Sequence, residues 1–193
     1  TDNSQAASLT CKGRAALGTE FRAAMLPNGY NSLPNTWNSF VVGVMATEDN
    51  TEVTFSDYDP GVIFHRNAGD ITDDIHTVIL DAGETYVLAG YQEGLDSPNR
   101  QGFVGALIKS DKPIALSNGS LLGSIVNSGG RDQAIDQSVG VSKLGSEYVL
   151  IRGNGVDSTE SPLVIAAYDN TEVFLNGSVT PYTTLNAGEW VLI

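Results

Sequence analysis

Thr77-Val78-Ile79-Leu80-Asp81-Ala82-Gly83-Glu84-Thr85-Tyr86-Val87-Leu88 is the stretch on which the fold turns. Two β-rich runs flank a short connection whose glycine can take the positive φ that other residues resist, which predicts a hairpin. The connection recurs, because Leu80-Asp81-Ala82-Gly83-Glu84 returns as Leu185-Asn186-Ala187-Gly188-Glu189. Asp49-Asn50-Thr51-Glu52-Val53 returns unchanged as Asp169-Asn170-Thr171-Glu172-Val173, and Leu17-Gly18-Thr19-Glu20-Phe21 as Leu144-Gly145-Ser146-Glu147-Tyr148. The order is kept while the spacing shrinks: Gly18 to Gly145 is 127 residues, Asp49 to Asp169 is 120 and Gly83 to Gly188 is 105. Such a pattern predicts one unit copied once, with longer loops in the first copy, chiefly at Pro27 to Asn38 and Ser56 to His76.

The expected architecture is all-β, made of two duplicated antiparallel, sandwich-like units. Residues 1–16 read as a lead-in or edge strand, 17–128 as the first unit, 129–143 as a junction and 144–193 as a second unit truncated at its C-terminus. Nothing after Trp190-Val191-Leu192-Ile193 matches Phe103 to Leu116 of the first copy. A β unit cut before its closing strands leaves an open edge, so a continuation of the chain is expected to cover it.

Composition narrows the function. The chain has 193 residues, enough for a sizeable core, and 41% hydrophobic content without the run of about 18 apolar residues a membrane helix needs. Its 21 glycines, spread between short apolar runs, suit a protein of many turns. Twenty-three acidic residues against 10 basic ones give a net charge of −13, which repels phosphate and disfavours nucleic acids and anionic membranes. The single Cys11 can form no disulfide within the chain and reads as a buried or idle thiol.

Along the chain, Phe40 to Ala46 reads as a strand buried on both faces, and Asp49-Asn50 as a turn. Thr51 to Phe55 alternates, placing Val53 and Phe55 inward, with Val173 and Leu175 as their counterparts. Glu20 to Leu26 is taken as a strand because its counterpart Glu147 to Arg152 is β-branched and aromatic.

Chemistry has few footholds. The two histidines, His65 and His76, fall in the long loop of the first copy, and no Gly-x-Ser-x-Gly is present, so no nucleophile–base pair is proposed and the chain is expected not to be an enzyme. Asp57 and Asp59, and Asp70, Asp73 and Asp74, gather carboxylates in loops that could hold Ca²⁺, although neither group matches a known loop pattern for that ion. No other cofactor is called for. Tyr30, Trp37, Tyr58 and Tyr91, all in expected loops, are candidates for stacking on a glycan. In the junction, Arg131 and Asp132 read either as a contact for a partner or as a tie between units.

At the junction the series becomes specific. Asp111-Lys112-Pro113-Ile114-Ala115-Leu116-Ser117-Asn118-Gly119-Ser120, Gly130-Arg131-Asp132 through Asp136-Gln137, Leu144 through Gly155 and Asp169 through Val173 together resemble the IgGFc-binding-protein N-terminal-like domain. The version it is most similar to occurs in large secreted proteins of gliding Bacteroidetes. The resemblance implies an extracellular or cell-surface all-β adhesion module without catalytic residues, exported as type 9 secretion cargo. It implies as partners a glycan or surface-protein ligand, the secretion machinery during export and the C-terminal remainder of the same chain, without nucleic acid or membrane insertion. The family name does not by itself carry antibody binding to this sequence. Two other readings stand beside the adhesion module: an accessory carbohydrate-binding β-sandwich of a carbohydrate-active enzyme, and a spacer that holds another domain away from the surface.

Overall fold

The computed structural model describes residues 7–8, 10–27, 40–64, 71, 73–90, 98–123, 132–155 and 160–193, and these are all-β, with single 3-10 turns and no α-helix. The strands are β1 (Ala7–Ser8), β2 (Gly18–Arg22), β3 (Phe40–Ala46), β4 (Thr51–Ser56), β5 (His76–Leu80), β6 (Thr85–Ala89), β7 (Leu107–Gly123), β8 (Asp132–Gln137), β9 (Leu163–Ile165), β10 (Thr171–Val173), β11 (Thr183–Leu185) and β12 (Trp190–Leu192).

β7 organises the first unit. Its first part pairs antiparallel with β2 and β4, and its second part with β3 and β8, so 17 residues serve two sets of neighbours and curl the sheet into a half-barrel. The changeover falls at Asp111-Lys112-Pro113, which have no register partner in β3 or β4. A proline that removes a ladder donor is tolerated at such a corner. The side chains there hold the neighbouring loop instead: Glu52 N donates to Asp111 Oδ1 at 2.8 Å, and Lys112 Nζ donates to the carbonyls of Asp49 and Asn50.

The expected hairpin over 77–88 is not one. β5 pairs with β4, and β6 with β3, so 81–84 crosses between two parts of the sheet as an arch, as does 47–50 between β3 and β4. The two arches lie side by side and brace each other: Ala82 N donates to Asp49 Oδ1, and Asn50 N to Asp81 Oδ1, each at 3.0 Å. Gly83 N donates to Ala46 O at 2.9 Å. Gly83 has φ 82° and Asn50 φ 53°, so the left-handed conformation expected for the glycine is present although the topology differs.

The second arch pair repeats the first bond for bond. Ala187 N donates to Asp169 Oδ1 at 3.0 Å, Gly188 N to Ala166 O at 2.9 Å, and Asn170 and Gly188 have φ 55° and 81°. Registers agree too: Val53 lies opposite Val78 as Val173 lies opposite Thr183, and Val44 opposite Tyr86 as Val164 opposite Val191.

The main core is built from the inward residues of this curled sheet, among them Phe21, Val42, Val44, Val53, Phe55, Leu88, Ile108, Ile114 and Leu116. At one end Phe40, Tyr58, Phe64 and Phe103 pack ring on ring, with Phe40 stacked on Phe103 at 4.4 Å between centroids. A smaller core of Ala166, Val173 and Leu185, joined by Val164, Leu175, Val191 and Ile193, belongs to the second arch pair.

Several expectations are corrected. β3 is buried on one face only, with Met45 exposed on the other, because its neighbours cover a single side. Within the expected junction 129–143, Asp132–Gln137 form β8, a strand paired with β7. β2 starts at Gly18 and ends at Arg22, while its counterpart Glu147 to Arg152 forms no strand, because no strand lies beside it among the described residues. His76 belongs to β5 instead of a loop, and Cys11 is exposed.

Candidate functional site

After β4 the chain turns at Asp57, whose φ of 58° throws the next side chain, Tyr58, into the core. The following loop is sewn to the segment before β7: Asp59 N donates to Gly102 O at 2.8 Å, Asp59 O accepts from Val62 N at 2.9 Å, and Asp59 Oδ1 accepts from Gly61 N at 2.7 Å. Opposite this wall stands the arch 185–190 of the second pair. The two meet at Gly105 and Gly188, where a β-carbon on Gly105 would come within 1.8 Å of the Gly188 carbonyl oxygen. Backbones approach this closely only where neither residue carries a side chain.

Arg22 locks the contact from behind. Its Nη1 donates to Asp57 Oδ2 at 2.8 Å and to Gly105 O at 3.2 Å, and its side chain is 11% exposed. Beside this seam opens a cleft of about 490 Å³. Asp57, Asp59 and Glu189 supply three carboxylates, Val104, Leu185 and Trp190 an apolar wall, and no lining residue is basic. Glu189 is partly committed, because its Oε2 accepts from Asn186 N at 2.7 Å. Trp190 is half-buried, packed on the main core.

Such a lining offers an aromatic face with hydrogen-bond acceptors around it. That combination suits a neutral polyhydroxylated ligand or a cationic side chain, and repels anions. None of the lining residues is His, Cys or Ser. The one His–Tyr pair in the described residues, His76 Nε2 to Tyr86 Oη at 2.8 Å, lies away from the cleft, between β5 and β6. Burial lowers the pKa of His76 and raises that of Tyr86, which fits a structural pair.

The expected candidates separate sharply. Asp57 and Asp59 are in the cleft. Tyr58 is not available for stacking: it is 7% exposed, and its hydroxyl donates to Asp73 O at 2.6 Å. Burial first, then the nearby charges of Asp74 and Asp73, raises its pKa and keeps it a neutral donor. Asp73 and Asp74 are exposed, and among the described residues no three His, Cys, Asp or Glu side chains, those of the cleft included, lie close enough together to hold a metal ion. Tyr30, Trp37, Tyr91, Arg131, Asp70 and His65 lie outside the described residues; Asp132 opens β8 opposite Gly123. The sequence reading missed Trp190 and Glu189 as site residues. Their signal was a departure between the two similar stretches: after the Gly-Glu that both share, Trp190 stands where the first has Thr85.

The family profile described as IgGFc binding protein matches residues 6–193. No curated protein and no solved structure matches the chain.

Proposed function

The chain belongs to the IgGFc-binding protein family, and on that basis we propose that it is a non-catalytic binding module of a secreted or cell-surface protein that takes its ligand at the seam cleft. The observation that carries this reading is the placement of Trp190, Asp57, Asp59 and Glu189 around one opening between the bonded wall formed by the loop after β4 and the segment before β7 and the braced arch 185–190. Binding sites prefer such junctions because two braced elements hold the contacting side chains in place. The ligand class favoured by the lining is a glycan; a basic protein segment is the second choice, and immunoglobulin Fc, which the family is named for, is its specific protein form. Export as type 9 secretion cargo is the form that secretion takes in the surface proteins the motif series resembles, and it is proposed on that resemblance alone.

The test is a glycan array together with an immunoglobulin Fc surface, each probed with the native chain and with Trp190→Ala. Binding to a neutral glycan that falls at least about tenfold in the variant is expected, the usual cost of removing a stacking aromatic. Binding that is unchanged by the substitution, or hydrolysis of any bound glycan, would overturn the proposal.

A further inference from the structure

The lining of the seam cleft divides unevenly between donors and acceptors. The backbone amides of Asp59, Gly102, Val104, Gly188 and Glu189 all donate within the chain, to the carbonyls of Gly102, Pro98, Gln101, Ala166 and Asn186 in turn. Ala187 N donates to Asp169 Oδ1. Only Gln101 and Trp190 bring side-chain N–H groups to the lining. Each carboxylate, by contrast, is anchored through one oxygen: Asp57 Oδ2 accepts from Arg22, Asp59 Oδ1 from Gly61 N and Glu189 Oε2 from Asn186 N. The second oxygen of each bonds nothing among the described residues.

Charge is uneven in the same place. Arg22 Nη1 lies 2.8 Å from Asp57 Oδ2 and matches that carboxylate from behind the seam. Asp59 and Glu189 are exposed, and neither is in an ion pair among the described residues. No three acids lie close enough together to hold a metal ion, so one small cation does not match this lining, whereas a larger ligand with separate positive groups does. Trp190 borders the same opening, and the face of an indole attracts an ammonium group through its ring quadrupole.

We propose, on the reading that the cleft takes a glycan, that the preferred glycan bears free amino groups: a chain of unacetylated amino sugars, protonated at neutral pH. A sugar ring faces Trp190, and the ammonium groups donate to Asp59 and Glu189. Hydrogen bonds between an ammonium and a carboxylate are roughly twice as strong as neutral ones, so a neutral sugar binds in the same place more weakly. N-acetylation removes the charge and puts a carbonyl acceptor against a lining of acceptors, where it stays unpaired. Uronic acids and sulfated sugars are repelled.

The experiment is calorimetric titration with tetramers of glucosamine and of galactosamine, each in free-amine and N-acetylated form, and with a lysine-containing peptide as the protein probe. At least one free-amine tetramer should bind about tenfold or more tighter than its acetylated form, with a preference that shrinks as salt rises. Asp59→Asn and Glu189→Gln keep the oxygen that accepts from Gly61 N or Asn186 N and lose only the charge, so each should fold normally and reduce that preference several-fold. Glu172→Gln, which changes an exposed acid outside the cleft, should leave the preference intact and so separate the cleft from the general attraction of a chain with net charge −13. Acetylated and free-amine forms that bind equally, both weakened by Trp190→Ala, would overturn the amine preference while the glycan reading stands. Retention of the peptide and of no tetramer, or sugar binding that Trp190→Ala leaves unchanged, would overturn both.

Discussion

Gly83 and Gly105 share a φ of 82° but not their surroundings. A β-carbon on Gly83 would meet nothing within 4 Å, whereas one on Gly105 would run into the Gly188 carbonyl. Gly83→Ala therefore carries only the backbone cost of the left-handed conformation, about 1–2 kcal/mol. Gly105→Ala adds a steric collision that must push the segment before β7 away from the arch 185–190. Denaturant unfolding should show Gly105→Ala as clearly the more destabilising of the two; equal effects would contradict the close approach at the seam. His76 offers a second test. Its ring lies against Phe55 and bonds the Tyr86 hydroxyl, and burial lowers its pKa from 6.5. A depressed histidine pKa means that the unfolded chain binds the proton more readily, so this contribution is present above pH 6.5 and is lost as pH falls through the lower folded value. An NMR titration should place the His76 midpoint below 6.5, and Tyr86→Phe should leave the ring buried but without its hydroxyl partner. A midpoint at or above 6.5 would contradict that environment.

The arch is the element that repeats, and its brace is an aspartate. Asp49 and Asp169 each accept from the amide of an alanine in the facing arch at 3.0 Å. Asp49→Ala and Asp169→Ala should each cost on the order of 1 kcal/mol, and the asparagine variants less, since an amide oxygen still accepts the bond. Chemical denaturation of the four variants checks this; an aspartate-to-asparagine change as costly as alanine would mean that charge, not the acceptor, holds the arch. The alternation of Thr51 to Phe55 and the positive φ of Gly83 and Gly188 were legible in the sequence because both are local. The arch was mistaken for a hairpin because Asp-Asn and Ala-Gly say that the chain turns and not which strand it pairs with next. That choice is made by β7, at residues far away in sequence. The fate of Glu147 to Arg152 was equally hidden: its β-branched, aromatic composition favours a strand, but composition supplies no neighbour.

At the scale of the whole molecule, the segment before β7 meets the arch 185–190 glycine to glycine, and the junction leaves a cleft with carboxylates and a tryptophan and no basic residue in its lining. A net charge of −13 reinforces that lining in turning anionic ligands away. Asp57 and Asp59 stood out in the sequence as neighbouring loop carboxylates that could hold Ca²⁺, and the fold puts both in the lining of this cleft. Tyr58, between them, was misjudged because aromatic residues in loops also pack against one another, here with Phe64 and Phe103. Trp190 escaped notice because its neighbours Val191 and Leu192 mark it as core, and only the fold shows that one of its sides borders the opening. On the proposed function, ligand enters at this seam. Residue-resolved NMR titration of the chain with a glycan retained on the array tests it most directly. The largest shifts are expected at the Trp190 indole and at the backbone amides of Gly102, Val104, Gly188 and Glu189; shifts centred on β2 and β8, with the Trp190 indole unmoved, would contradict ligand entry at the seam.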